Sequence, residues 1–183
     1  HLLPGNHDAD HAGGVWERVA RIGIPGNAVV HRESRPAEIQ RGVFVLPAPL
    51  KARAVSGDPT AWMDTAATPA DAVRIGLAHG STQGFGSAQT ASVLIDPARR
   101  TSAGLAYLAL GDWHGRKEVA DGVWFSGTPE PDQFADNGPG NALIVRVNGP
   151  AAVEVSSVAT AEFTWVSRSV VCSNVSDLDV IAR

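Results

Sequence analysis

Two apolar runs that end abruptly in polar residues constrain this chain more than any other feature. Val73 to Ala78 leads straight into His79-Gly80, and Leu105 to Leu110 leads straight into Gly111-Asp112. Short runs that are apolar at successive positions read as strands covered on both faces, the pattern of a largely parallel sheet in an α/β domain. In open sheets of that kind ligands sit outside the carboxyl ends of the strands, which is where His79 and Asp112 fall. His1-Leu2-Leu3 reads as the tail of a further strand feeding the loop Pro4-Gly5-Asn6-His7-Asp8, so Asn6 is expected on the same rim.

The rest of the chain supplies a framework for that rim. Residues 13–24 read as a helix, with Trp16, Val19, Ala20 and Gly23 on one face and Glu17, Arg18 and Arg21 on the other, closed by Pro25-Gly26-Asn27. Short strands are expected over 28–31 and 42–46, the second halted by Pro47 and Pro49. Asp58 with Pro59 signals a short helix to Asp64, and Thr68-Pro69 repeats that start signal. From Val123 onward the pattern turns to antiparallel β: a strand over 123–125, a rigid turn at Gly127-Thr128-Pro129-Glu130-Pro131, and strands over 142–147 and 152–158 around the hairpin signal Asn148-Gly149. Residues 162–166 are expected to continue the meander, and 176–183 to open a helix.

The residues on the rim suit metal-assisted hydrolysis. Asn6, His7, Asp8, His79, Asp112 and His114 combine imidazole, carboxylate and amide oxygen, a donor set for manganese, iron or zinc rather than for a thiolate-held structural zinc. Each alone has a plainer meaning: His79 would be a satisfied core histidine, Asp112 a turn former, and the Asn6 loop a helix cap. Asp112 and His114 are two apart and project to the same side of extended backbone. Trp113 reads as packing beneath the loop, and His11 and His31 as surface or structural residues. Gly80-Ser81-Thr82-Gln83-Gly84 offers backbone amides to a phosphate or serves as a plain loop.

Composition trims the alternatives. With 183 residues, 44% hydrophobic and 19% charged, the chain has globular values, and no apolar run is long enough to cross a bilayer. The formal net charge of −4, with scattered basic residues, removes the footprint of a protein that grips nucleic acid by charge alone. The single cysteine, Cys172, cannot form an internal disulfide, which suits a reducing, cytoplasmic setting.

The order Gly5-Asn6-His7-Asp8, His79-Gly80 and Gly111-Asp112-Trp113-His114 resembles the third, fourth and fifth motifs of the calcineurin-like metallophosphoesterases. The closer likeness is to the SbcD-type DNA repair exonucleases, carried also by Ala109-Leu110-Gly111 and by Phe125-Ser126-Gly127-Thr128-Pro129-Glu130. It implies a β-sandwich flanked by helices, a four-layer α/β/β/α arrangement of which residues 1–168 would be the carboxyl-terminal part, with 169–183 starting a following segment or cap. It also implies two divalent metal ions, manganese first, with magnesium, iron or zinc as alternatives.

By the resemblance Asn6 and His79 ligate the second metal and His114 the first; His7 stabilises the transition state or protonates the leaving oxygen, and Asp8 orients His7. DNA or another phosphodiester is the implied substrate and an ATPase subunit the implied partner. Asp112 departs from the family's histidine at that position and favours harder metals as a ligand. The family's first two motifs, an Asp-x-His and a Gly-Asp pair, lie upstream of its Gly-Asn-His loop, so the chain is expected to be a fragment that binds metal weakly and is inactive by itself. Two alternatives remain: a phosphoesterase for small phosphate esters or nucleotides, and an inactive scaffold of the same fold that binds a partner.

Overall fold

A computed structural model of the chain describes residues 1–82, 92–134, 137–150, 152–167, 169 and 171. The expectations for Cys172, for 176–183 and for the Gln83-Gly84 end of the glycine-rich loop lie outside the described residues. The fold is α/β, organised on one mixed sheet. Its strands are β1 (Ala37–Gln40), β2 (Val43–Ala48), β3 (Val73–His79), β6 (Tyr107–Gly111), β8 (Val123–Phe125) and β7 (Lys117–Ala120), in that spatial order. The four central strands are parallel, and β1 and β7 close the two edges antiparallel.

The register explains the core. Leu46 aligns with Gly76, Ala78 with Leu110, and Leu110 with Phe125, which puts these side chains on one face. That face is sealed by Met63 from a 3₁₀ turn (Ala61–Thr65), by Ile95 and by Ala103 and Leu105, all essentially buried. A Cβ on Gly76 would stand 2.6 Å from Leu108 and 2.8 Å from Leu105, so glycine lets these layers close. On the opposite face Val45, Pro47 and Tyr107 are buried, whereas Ile75, Leu77, Ala109 and Trp124 are half-buried. The apolar-on-both-sides pattern of the sequence is therefore met by full cover on one side and partial cover on the other.

Several expected elements differ. β2 runs on through Pro47, which pairs with Leu77. Pairing with β1 reaches no further than Val45, leaving that side of Pro47 open, and proline is tolerated on such an edge. The helix expected over 13–24 is α1 (Val15–Ile22) and buries none of its residues. The strand expected over 28–31 is a single parallel bridge between Val30 and Leu2. After Asp58 a 3₁₀ turn forms, its carboxylate accepting from the Thr60 amide at 2.7 Å, whereas Thr68-Pro69 leads into a simple turn. The short helix α2 (Arg99–Ser102) and two-residue strands β4 (Ser81–Thr82) and β5 (Leu94–Ile95), which carry too few residues for a periodic signal, add to this frame.

The Asn148-Gly149 hairpin forms as expected, pairing β9 (Asn141–Val147) with β10 (Val153–Ala159) in a separate two-stranded sheet. The 162–166 stretch does not continue it. Its amides at Glu162 and Phe163 are taken by the Glu130 carboxylate instead of a neighbouring strand.

Candidate functional site

The rim forms where β3 and β6 end side by side, His79 opposite Gly111, with the Gly80 amide bonded to the Gly111 carbonyl at 3.0 Å. The loop of residues 4–10 is pinned beside them. Leu50, just past β2, donates to the Pro4 carbonyl at 3.1 Å and accepts from the Asp10 amide at 2.8 Å. Asp10 is buried, and both its oxygens are paired, with Arg32 at 2.6 Å and Lys51 at 2.6 Å. The Arg32 hydrogen bond, with help from Lys51 and against the cost of burial, holds its carboxyl below the ordinary range. From the other side, the Trp16 indole of α1 donates to the Asp8 carbonyl at 2.6 Å.

This scaffold brings three of the expected residues into one cluster. His79 Nε2 lies 3.0 Å from Asn6 Oδ1, Asn6 Nδ2 donates to Asp112 Oδ1 at 3.2 Å, and His79 Nε2 stands 3.6 Å from the same carboxylate oxygen. The His79 ring is held between two glycines: a Cβ on Gly5 or on Gly111 would each come within 2.9 Å of it. Asp112 has φ of 115°, a left-handed backbone that a non-glycine residue adopts at a cost of about 1–3 kcal/mol. Its carboxyl is held below the usual value, first by the His79 imidazole beside it, against the opposing effect of burial.

The cluster lines a cavity of about 210 Å³, into which His7, His114 and Thr128 also face. His7 is exposed at this mouth. Asp8, expected to orient His7, instead accepts from the Gly5 amide at 2.7 Å, closing the loop on itself as short carboxylates do in turns. His114 shares the cavity, and its Nδ1 is 2.5 Å from Asp132 Oδ2. Asp132 was not singled out by sequence reasoning; the one available signal is its place two residues beyond the Gly-Thr-Pro-Glu turn. That turn braces the His114 loop, with Thr128 donating through its amide at 2.9 Å and its hydroxyl at 3.2 Å to the His114 carbonyl. Trp113 packs on the core cluster, His31 is buried against His1, and His11 is exposed.

Among the described residues no three His, Cys, Asp or Glu side chains are gathered around one point as metal ligands. The Asn6 amide oxygen makes up the third donor beside His79 and Asp112. Two atoms bound to one ion at about 2.1 Å stand about 3.0 Å apart at a right angle and about 3.4 Å apart at the tetrahedral angle. The separations of 3.0 and 3.6 Å about His79 Nε2 are close to those values, so His79 has the spacing of a co-ligand with Asn6 Oδ1 and with Asp112 Oδ1 in turn, while the Asn6 amide nitrogen faces Asp112. No helix among the described residues is long and apolar enough to cross a membrane. In comparison with known proteins, no family model matches the chain and no curated protein does.

Proposed function

We propose that the chain is part of a metal-dependent phosphodiesterase of the calcineurin-like metallophosphoesterase type, close to the SbcD-type DNA exonucleases and cytoplasmic. The observation that carries this reading is the convergence of Asn6, His79 and Asp112, from three separate motifs, on one cavity at the carboxyl ends of parallel strands. The finer fold, a four-layer α/β/β/α sandwich, is supported by the half-buried Ile75, Leu77, Ala109 and Trp124, which a second sheet would cover.

In this proposal Asn6, His79 and Asp112 hold a divalent ion, manganese by preference given the carboxylate, and the other ligands of a two-ion centre come from the family's two upstream motifs. The bound ion neutralises charge on a phosphoryl oxygen and acidifies water. His7, exposed at the mouth, donates a proton to the leaving oxygen. DNA ends are the proposed substrate and an ATPase subunit the proposed partner. The net charge of −4 favours a second reading, hydrolysis of small phosphate esters or nucleotides.

The test uses the full-length protein with manganese, offered oligonucleotides and bis-p-nitrophenyl phosphate side by side. Cleavage that collapses in His79→Ala and in His7→Ala is the expected result. Turnover unchanged in both variants removes the assigned roles, and activity confined to the small ester selects the second reading.

A further inference from the structure

Besides His79 and Asp112, the cavity is lined by a second imidazole that meets a carboxylate, and that carboxylate is not the one the motif order suggests. Asp8 is engaged by its own loop through Gly5, whereas His114 Nδ1 meets Asp132 Oδ2 at 2.5 Å. An ionised carboxylate repels a lone pair facing it, so in the neutral ring the proton is favoured on Nδ1 and the lone pair on Nε2. Both partners are delivered by one brace. Thr128 fixes the His114 carbonyl twice, and Gly127, with φ of 74°, presses against that carbonyl at a distance that a Cβ would reduce to 2.8 Å. Gly115 is as confined, because a Cβ there would overlap the Asn137 carbonyl at 1.8 Å. The His114 backbone is therefore set, and what remains free is its ring.

His114 and Asp132 are about half exposed, with side chains 50% and 41% accessible, so a bond between them adds little to stability. An exposed ring on a fixed backbone still samples rotamers and two tautomers, and a carboxylate on one nitrogen removes that freedom. We infer that Asp132 is a positioning residue: it locks His114 in the Nδ1–H tautomer and presents the Nε2 lone pair to the cavity as a donor for a divalent cation. The use of Nε2 rests on the function proposed above, while the tautomer stands independently of it.

The experiment is two-bond ¹⁵N–¹H correlation of the imidazoles in full-length, metal-free protein near pH 8, paired with calorimetric titration of Zn²⁺. Wild type should show His114 protonated at Nδ1. Asp132→Ala should show a tautomer mixture and bind Zn²⁺ roughly 10–100-fold more weakly, with Asp132→Glu recovering both. A wild-type ring protonated at Nε2, or an Asp132→Ala protein unchanged in tautomer and in Zn²⁺ affinity, overturns the inference. If Asp132→Ala matches wild type while wild type cleaves phosphodiesters, only the role of Asp132 falls. If wild type neither binds the ion nor cleaves, the proposed function falls and the tautomer alone decides for or against the lock.

Discussion

The clusters around Arg99 and His79 are built from similar side chains and balance their charges in opposite ways. Arg99 is buried where α2 packs on the 3₁₀ turn, and its guanidinium pairs with Asp58 at 3.1 Å, with Asp64, and with the Thr60 hydroxyl at 3.2 Å. Burial disfavours its charge, but the bonds to Asp64 and Asp58 more than offset that and hold its pKa above the ordinary arginine value. Around His79 the carboxylate of Asp112 is met by an imidazole and an amide, on strained backbone, beside an open cavity. A network saturated by a permanent cation fixes two elements together; one short of positive charge, strained and accessible is poised for a ligand.

The sharpest way to break this contrast is to delete each centre. On the proposed function, His79→Ala in the full-length protein should cost at least about a hundredfold in manganese-dependent hydrolysis, since even residues behind a ligand cost about 10–100-fold, while the urea midpoint barely moves. Chelation of wild type should give the same split, with activity gone and the melt nearly unchanged. Arg99→Ala should do the reverse. It should lose about 2–3 kcal/mol in urea unfolding, short of the roughly 3–5 kcal/mol of a wholly buried pair because Asp64 is 37% accessible and rehydrates, with turnover per folded molecule preserved. Equal loss of stability in the two variants would erase the distinction.

A matched pair of glycines gives a finer test. Gly111→Ala puts a Cβ 2.9 Å from the His79 ring, so the ring shifts by a few tenths of an ångström from Asn6 and Asp112. Since a displacement near 1 Å costs about a hundredfold, a loss of about tenfold in turnover with little change in melting is expected. Gly76→Ala instead crowds Leu108 and Leu105 in the core and should cost about 1–3 kcal/mol of stability, with turnover intact. Steady-state kinetics and thermal melts on both variants check the assignment.

Only part of this contrast was legible in the sequence. The strands bearing His79 and Gly111 announced themselves because their apolar runs are continuous and stop at polar residues, a local signal. Edge strand β1 was silent: Glu38, Ile39 and Gln40 are exposed, so no burial pattern marks them. The Arg99 network joins residues some forty positions apart through a four-residue helix, and no spacing rule reaches that far. At the site the cluster of Asn6, His79 and Asp112 followed from strand-end logic. The partner of His114 did not, because Asp132 lies eighteen residues away across a turn, and only the folded turn shows that it reaches that imidazole.

The smallest expected effect is on acid stability, and it comes from the structural side of the comparison. The Asp64 carboxyl lies below its ordinary value of 3.8, first through the Arg99 hydrogen bond and then through Ser102. A depressed carboxylate stabilises the folded state at pH above the unfolded value, and the contribution disappears as pH falls through the depressed one, where the unfolded chain has already taken up its proton. Arg99→Ala removes the principal cause, so Asp64 returns toward 3.8 and that part of the acid-side slope flattens. The stability gap between wild type and Arg99→Ala should thus be widest near neutrality and narrow as urea melts are carried from pH 7 down to pH 3. The narrowing should be slight, because a side chain 37% exposed is well screened. A gap of constant width would mean that Arg99 acts by packing alone, and that its likeness to the His79 cluster is one of composition rather than of charge.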